Sequence, residues 1–409
     1  MVGQWWGLSS QGKLLQRKHL PQLTAPSRSP KNPFVETTIR YVLSYLGASI
    51  PDFAARELPG AAITIYADND YYSQPPTPTT PPTATAAPLP RFNSLNVPLS
   101  SAHKTGLGSS AALTTALTAC LLATYSPQPF AAETESRIHN LAQAAHCAAQ
   151  GKVGSGFDVA AAVFGSCVYR RFSPAILEAV GSAGTAAFAV RLHATVDAAW
   201  DHVVLRTQLP PGLRLLMGDV DCGSSTPGMV RTLLAWRREH PRAAKDLWDT
   251  LESLNQGLIA FLTDARAQAE RSPHEHLEAI KAFRSRSEAP SQSSALLYSI
   301  SAQLADIRAN IRAMGGDSGV PIEPPAQTAL LDGAVAAVRG VLGGVVPGAG
   351  GYDAVVFLVT DTDDTVASLK HFLKNYQFEG TGSVGVVKAL DTREEHKGVC
   401  REDLSAYAL

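Results

Sequence analysis

The sequence predicts a two-domain protein of the α+β class. Its 409 residues make two domains the default expectation. In the second half, residues 352–360, 365–376 and 382–390 read in turn as a strand, a helix and a strand. That order predicts a sheet with helices packed on it. We expect an irregular segment at 1–30, a first domain at 31–208 and a second domain at 209–409.

The first elements of the chain are predicted from periodicity and from the type of side chain. In "NPFVETTIRYVLSYLG" (32–47) the apolar residues recur at helical spacing, and Gly47 is the predicted stop. Residues 61–68, "AAITIYAD", read as a strand because they are rich in β-branched side chains. The proline-rich stretch 73–90 reads as a solvated surface loop, partly polyproline II.

The remaining elements follow the same two signals. A helix is predicted after Gly108, and the face that it buries is expected to carry Leu113, Leu117, Cys120 and Leu121. The further elements are a helix over about 134–150, a helix from about 155 that passes into a strand at 167–172, a buried strand at 213–220, and a mostly helical region from Met229 to Met314 with breaks near 271–274 and 285–293.

Composition excludes several classes of function. A net charge of −1 gives no bulk attraction to nucleic acid or to a membrane, so any anion site must be local. The five cysteines are widely spaced without a CxxC pair, which argues against a disulfide framework or a zinc site and favours a reducing compartment. The apolar stretch 111–125 is too short to span a bilayer, and the first 20 residues hold no long apolar segment. We expect a cytoplasmic protein; its oligomeric state does not follow from the sequence.

The stretch "KTGLGSSAALTTAL" (104–117) combines glycines and hydroxyls directly before a helix. Glycines let the backbone approach a ligand, and the helix presents unpaired N–H groups and its positive dipole end. A phosphate is the natural occupant, with Lys104 as a mobile positive charge. The stretch is neither a P-loop, because Lys104 precedes the glycines, nor a dinucleotide fingerprint, because Ala111 replaces the third glycine. The alternative is a helix start with serine as its N-cap.

Two further glycine-rich turns occur in the chain. "QGKVGSGFDVAAAVFGS" (150–166) has three glycines before Asp158 at the start of a helix, and "VVPGAGGYDA" (345–354) leads into a strand. Asp158 reads alternatively as an acid that compensates the helix dipole, and the second stretch alternatively as a plain turn. Three such turns indicate one site assembled from distant segments.

These residues carry a resemblance to a known family. "GLGSSAA", "GSGFDVAAA" and "PGAGGYDA" resemble the motifs of the GHMP kinases, small-molecule kinases that use ATP. "HNLAQAAHCAAQGKVGSGFDVAAAVFGSCVYRRF", "MGDVDCGSSTPGMV" and "IEPPAQTALLD" are similar, in wording and order, to the phosphomevalonate kinases of fungi and plants. The resemblance covers about residues 31–391.

The resemblance implies a fold, a reaction and a set of site residues. The implied fold is an N-terminal domain like ribosomal protein S5 domain 2, followed by a ferredoxin-like domain. The implied substrates are ATP with Mg²⁺ and (R)-5-phosphomevalonate. Lys104 and Asp158 match the catalytic positions, and Ser110 is the candidate magnesium contact. The ATP phosphates are expected at Lys104, Gly106, Leu107, Gly108, Ser109, Ser110 and Ala111, and the acceptor at Lys152, Ser155, Gly156, Arg171, Gly348, Ala349, Gly350 and Gly351.

The chain departs from the family pattern at two points. The family's glycine-rich first motif, which contains a lysine, has no clear counterpart before residue 31, so we expect either a truncated chain or a mis-assigned start. Some relatives place a glutamate metal ligand eleven residues before the aspartate, where this chain has Cys147. Four polar residues of the predicted helix share one face, read as polar packing and not as ligands: His139, Gln143, His146 and Gln150.

Charge decides the expected mechanism. A phosphate monoester is mostly dianionic at neutral pH, so as an acceptor it hardly needs a general base. We therefore rank Lys104, magnesium and the helix N-terminus above proton abstraction by Asp158, which orients a cation, while its role as a base stays open. Arg171 reads alternatively as an exposed, solvated side chain. Two competing hypotheses are a GHMP kinase for another small molecule and a homologue that binds ATP or phosphomevalonate without turnover.

Overall fold

The chain forms two compact units. The computed structural model describes residues 32–55, 63–68, 71, 105, 107–126, 132–220, 226–283, 294–378, 387–390 and 392–402. Unit 1 comprises the chain up to Gln208 together with the segment from Glu395 onward, and unit 2 is Leu209–Glu394. The predicted segments at 1–30 and 73–90 lie outside the described residues. Among the described residues, no helix combines the length and the apolarity needed to cross a bilayer.

Unit 1 is mostly helical where the structure describes it. Its described strands form one two-stranded antiparallel sheet, in which Cys167 pairs with Arg206. Its elements are α1 (Pro33–Ser49), α2 (Ser109–Tyr125), α3 (Ala132–Gln150), α4 (Phe157–Phe164), β1 (Cys167–Arg170), α5 (Ala175–Glu178), α6 (Phe188–Asp197) and β2 (Val203–Arg206), with a short 3-10 helix at Phe53–Ala55.

Helix α2 lies inside unit 1 and is packed on all sides. Eleven of its 17 residues are buried, so the single buried face that the sequence predicts is too narrow. Leu117 and Leu121 enter the core as expected, whereas Leu113 and Cys120 are only partly buried. The surrounding core is built by α1, α3, α4 and α6, so within the described part of the chain the middle of α2 is covered and its two ends are the less buried parts.

Unit 2 is a four-stranded antiparallel sheet covered by helices on both faces. Its elements are β3 (Leu213–Val220), α7 (Thr226–Glu239), α8 (Pro241–Arg271), α9 (Pro273–Ala282), α10 (Ala295–Ser318), α11 (Pro325–Ala337), β4 (Val341–Val345), β5 (Ala354–Thr360), α12 (Asp363–Asn375) and β6 (Val387–Leu390). The strand order is β4-β5-β3-β6. With the chain order strand, helices, two strands, helix, strand, this is the ferredoxin-like arrangement that the resemblance implies.

Alternation along the strands of unit 2 separates its two cores. Phe357 joins α11 and α12 on one face of the sheet, and its neighbour Leu358 joins α8, α9 and α10 on the other. Successive side chains of a strand point to opposite faces, so a strand buried on both sides is apolar throughout. The strands predicted at 213–220 and 352–360 are confirmed, and so is the α+β class.

Two further sequence predictions are wrong. Residues 63–68 form neither strand nor helix, and Ile63 and Ile65 remain more than a third exposed, because β-branched side chains favour a strand only where a sheet accepts them. The segment from residue 395 was expected in the second domain but belongs to unit 1. Ser166 N donates to Glu395 O at 2.8 Å, and Val399 N donates to Val163 O at 3.0 Å.

Candidate active site

The N-terminal ends of α2 and α4 lie side by side in unit 1. Each helix begins after a glycine in the left-handed region, Gly108 at φ 76° and Gly156 at φ 77°, and neither glycine offers a side chain as a cap. A Cβ placed on Gly108 would lie 3.5 Å from the Cβ of Asp158. The first turn of α2 therefore presents main-chain N–H groups and a positive dipole end to one small region beside the Asp158 carboxylate. In the first turn of α4, Val159 N donates to Oδ1 of Asp158 at 2.9 Å.

A buried glutamine of α3 holds the turn before α4. Gln143 is fully buried, and its Nε2 donates to the Gly156 carbonyl oxygen at 2.6 Å. A Cβ on Gly156 would lie 2.8 Å from that Nε2 and 3.0 Å from the ring of Phe172. Only glycine therefore fits, both for its φ and for its space, and this turn sets where Asp158 enters α4.

Replacement of Gly156 by alanine is expected to lower the free energy of unfolding by about 2 kcal/mol. The left-handed conformation costs alanine about 1 kcal/mol, and overpacking against Gln143 and Phe172 costs about 1 kcal/mol more. Urea unfolding of the variant measures the sum. The matched control is Gly151→Ala, at φ 69° with nothing within 4 Å of the added methyl, which should cost about 1 kcal/mol. Equal losses in the two variants would contradict the close approach.

A second polar contact links α2 to α3. The hydroxyl oxygen of Ser110 lies 3.1 Å from Nε2 of His146, and the amide nitrogen of Gln150 lies 3.2 Å from the same ring nitrogen. The ring of His146 packs against Phe34 with 5.4 Å between centroids. These contacts tie the first turn of α2 to a buried face of α3.

Charged groups gather around the junction of α2 and α4. Burial lowers the pKa of His146, the Asp158 carboxylate raises it, and the Lys152 ammonium lowers it. Burial likewise raises the pKa of the Cys147 thiol, with a smaller lowering from Arg171 and a raising from Asp158. Asp158 thus shares its surroundings with two exposed cations, Lys152 and Arg171.

The third glycine-rich turn belongs to unit 2. A Cβ on Gly350 would lie 2.3 Å from the carbonyl oxygen of Ile322, and the next amide, Gly351 N, donates to that oxygen at 2.9 Å. Gln327 Nε2 donates to Tyr352 O at 2.7 Å. Close packing against the segment before α11 therefore shapes this loop, in which Gly348, Gly350 and Gly351 all have positive φ.

The structure brings together part of the predicted site. Ser110, Gly156 and Asp158 lie at the junction, whereas Lys104 and Gly106 fall outside the described residues. Ser109 and Ala111 are buried in α2, Leu107 is half-buried before it, and Ser155 is exposed beside Gly156. Gly348, Ala349, Gly350 and Gly351 lie in unit 2.

Sequence reasoning set aside two residues that the structure places at the site. Gln143 holds the Gly156 turn, and His146 contacts Ser110. Both belong to the polar face of α3 that also carries His139 and Gln150, and that face is largely buried. The spacing of these residues along α3 could have indicated this role. Buried polar side chains need hydrogen-bond partners, so a helix face that carries several of them is expected to pack against polar groups of another segment.

The deepest member of that stripe predicts how stability varies with pH. His139 is fully buried against Tyr169, Trp200 and His202, and burial lowers its pKa from 6.5 to about 4. The unfolded chain therefore binds this proton first as pH falls, so stability is present above pH 6.5 and is lost between 6.5 and about 4.

We expect His139 to contribute about 2 kcal/mol to the loss of unfolding free energy between pH 7 and 4.5. Urea unfolding at both pH values should show that loss shrinking by this amount in His139→Gln. An exposed histidine of the same unit, His396, supplies the control variant His396→Gln, which should leave the loss unchanged. An unchanged loss in His139→Gln would contradict the assignment.

Known proteins resemble this chain along most of its length. The model of the GHMP kinases N terminal domain matches residues 93–166. Phosphomevalonate kinase of Gibberella zeae is 44% identical over 396 residues, which cover 95% of this chain and 80% of that protein. The Aspergillus fumigatus enzyme is 43% identical, with coverage of 93% and 75%. The peroxisomal phosphomevalonate kinase of Arabidopsis thaliana is 34% identical, with coverage of 95% and 82%.

A solved structure shares the fold. A Lin0012 protein from Listeria innocua superposes with a TM-score of 0.54, covering 89% of this chain and 82% of that one. Its sequence is 18% identical, so the likeness concerns the fold alone.

Proposed function

The chain belongs to the phosphomevalonate kinase family of the GHMP kinases, and on this premise we propose that it transfers the γ-phosphoryl group of ATP to (R)-5-phosphomevalonate. The products are ADP and 5-diphosphomevalonate. One observation carries the proposal: the N-terminus of α2, which no side chain of its cap residue caps, meets the Asp158 carboxylate at the N-terminus of α4 in unit 1. That arrangement suits the handling of phosphate groups and of a cation.

The N-terminus of α2 is the proposed seat of the ATP phosphates. Its first turn offers backbone N–H groups that no side chain caps, and Gly108 lets phosphate oxygens approach without a Cβ in the way. Lys104, four residues before Gly108, adds a positive charge on a flexible stem. In this proposal the residues around the ATP phosphates are Lys104, Gly106, Leu107, Gly108, Ser109, Ser110 and Ala111, with Ser110 facing the phosphates through its main-chain N–H group.

The donor set at the junction suits Mg²⁺. This ion prefers oxygen ligands and is usually held by one or two protein oxygens together with substrate phosphates. Ser110 and Asp158 supply such oxygens, and the neighbouring Cys147 supplies none. Within the described ranges, no cluster of three or more His, Cys, Asp or Glu side chains forms a metal cage, which fits an ion shared with the nucleotide. When bound, Mg²⁺ neutralises charge on the transferred group.

Repulsion between two phosphate groups is the main obstacle to the reaction. The acceptor phosphate is already mostly dianionic at neutral pH, so proton removal contributes little. The chain's task is to hold donor and acceptor in line and to offset their charge. Asp158 orients a cation in this scheme, and the turn at Gly156 fixes where its carboxylate lies.

The acceptor is proposed to bind beside α4. Lys152 and Arg171 are exposed cations that share the electrostatic surroundings of Asp158, and arginine pairs with phosphate through two parallel hydrogen bonds. Ser155 and Gly156 line the same turn. The glycine loop of unit 2, with residues Gly348, Ala349, Gly350 and Gly351, is proposed to bind a phosphate group of the substrates. The N–H groups of Gly350 and Gly351 donate to Pro347 O and Ile322 O, so the main-chain groups offered to the ligand are those of Gly348 and Ala349.

Substrate choice tests the proposal. The purified chain with ATP and Mg²⁺ should release ADP at least about 100-fold faster with phosphomevalonate than with mevalonate or galactose, measured by a coupled assay. Preferred turnover of mevalonate or galactose would assign another kinase activity. Nucleotide binding without ADP release from any of the three would replace the enzyme by a binding protein.

We also propose a cytoplasmic location. The five cysteines are widely spaced without a CxxC pair, which favours a reducing compartment. A fluorescent fusion that is spread through the cytoplasm would support this, whereas punctate fluorescence coinciding with a peroxisomal marker would contradict it.

A further inference from the structure

The hydroxyl of Ser110 is committed to a partner inside the protein. Ser110 lies in the first turn of α2, where a serine often caps backbone N–H groups, but the cap position here is Gly108 and carries no side-chain hydrogen bond. The Ser110 hydroxyl oxygen instead lies 3.1 Å from Nε2 of His146 on α3. The contact with His146, and not helix capping, therefore accounts for the orientation of the Ser110 side chain.

The neighbouring glutamine fixes the direction of this hydrogen bond. The amide nitrogen of Gln150 lies 3.2 Å from the same Nε2. An amide nitrogen only donates, so Nε2 of His146 must be the accepting nitrogen of its ring. Nε2 has one lone pair, which the Gln150 amide and the Ser110 hydroxyl share as a three-centre hydrogen bond, with Ser110 at the shorter distance, so the hydroxyl proton is directed at His146.

The ring that receives this proton is held in place. His146 is 3% exposed, and its ring is tilted against Phe34 with 5.4 Å between centroids. Gln150 belongs to the next turn of the same helix, α3. The acceptor therefore stays aimed at Ser110.

We propose that His146 is a positioning residue that assigns Ser110 to the cation and not to a phosphate oxygen. A hydroxyl has one proton and two lone pairs. A phosphate oxygen needs the proton, whereas Mg²⁺ needs a lone pair. Because the Ser110 hydroxyl uses its proton in the hydrogen bond to His146, the hydroxyl oxygen offers only its lone pairs to a bound ligand. This inference rests on the proposed function, because it concerns the ion that accompanies the nucleotide.

The test measures ADP affinity by calorimetry with Mg²⁺ and with EDTA. His146→Phe keeps the ring packing and removes the acceptor; it should weaken Mg²⁺-dependent binding about 10-fold and leave metal-free binding within about twofold. Ser110→Ala should do the same, and the double variant should be no worse than Ser110→Ala alone, because the two residues act as one unit. His146→Gln, whose amide oxygen can replace Nε2 as the acceptor, should retain affinity within about threefold.

A matched control separates this role from packing. His193 stacks on Tyr45 at 5.5 Å in the same unit, so His193→Phe makes the same exchange away from the site and should leave both affinities unchanged. Two results would overturn the inference and leave the proposed function standing. In the first, the affinity losses of the two single variants multiply in the double variant; in the second, His146→Phe weakens ADP binding equally with and without Mg²⁺. Unchanged Mg²⁺ dependence in Ser110→Ala would instead remove the proposed role of Ser110.

Discussion

Replacement of Lys104 by alanine is expected to lower kcat by about 100- to 1000-fold, the range seen when one group that stabilises transition-state charge is removed. Phosphoryl transfer depends on positioning and on neutralising charge, and Lys104 precedes the α2 N-terminus where the phosphates are proposed to bind. Asp158→Asn should cost much less, about 10-fold, because the acceptor needs no base. Steady-state kinetics with saturating phosphomevalonate and ATP measure both variants.

The comparison also separates the two roles of Asp158. Lys104→Arg keeps the charge and should recover part of the activity, which ties the loss to charge and not to packing. Comparable losses in Lys104→Ala and Asp158→Asn would refute the ranking. So would an acid limb of the wild-type pH profile that disappears in Asp158→Asn, because it would make the aspartate a base.

Removal of the buried Arg308 guanidinium should lower the free energy of unfolding of unit 2 by about 3 kcal/mol. Arg308 donates to both oxygens of Glu323, at 3.1 and 2.7 Å, and to Asp332 at 2.6 Å. The Glu323 side chain has no exposed surface, so Arg308→Met leaves a buried carboxylate short of a cation. Breaking such a pair costs about 3–5 kcal/mol, and Arg312, at 2.9 Å, keeps the loss near the lower end.

This loss is measured by chemical denaturation, with hydrogen exchange of the α10 amides as the probe of unfolding in unit 2. The double variant Arg308→Met with Glu323→Gln should recover about half of it, because the neutral amide no longer leaves a buried charge. Lys245→Met breaks an exposed pair with Asp249 on α8 and should lower the free energy of unfolding much less, because exposed ion pairs contribute little. A loss in Arg308→Met no larger than in this control would contradict the buried pair.

The same network bears on the glycine loop of unit 2. Glu323 directly follows Ile322, whose carbonyl oxygen accepts from Gly351 N. Loosening Glu323 therefore frees the segment against which the loop is packed. Arg308→Met is expected to speed the hydrogen exchange of the Gly351 amide even where the protein remains folded, as mass spectrometry of exchanged peptides measures.

Most helices and strands of unit 2 were predictable because their signals are local. Residues 213–220 and 354–360 are mostly apolar, as is typical of strands covered on both faces, with Arg214, Asp219 and Thr360 as the exceptions. Residues 63–68 carry similar β-branched side chains but form no strand, since a strand depends on partners that the local sequence does not specify. The return of residues 395–400 to unit 1 was likewise not predictable, because it rests on main-chain hydrogen bonds, which any residue type can make, and on the packing of the single side chain of Val399.

The candidate site was predictable from its glycines but not from its buried polar groups. Gly108, Gly156 and Asp158 stand out by residue type, and the structure places them together. Gln143 and His146 look like ordinary polar residues of a helix until the turn and the hydroxyl that they contact are known. Their roles come from distances across the fold, which spacing along one helix does not give.

The segment that closes unit 1 is made late in synthesis. Residues 395–400 leave the ribosome only after the whole of Leu209–Glu394, a delay of about 10–40 s at ~5–20 residues per second. The intervening unit carries its own sheet and cores and therefore has everything it needs to fold first. During this time the part of unit 1 up to Gln208 lacks its contacts with residues 395–400. We expect chaperones that bind the nascent chain to contact mainly this part.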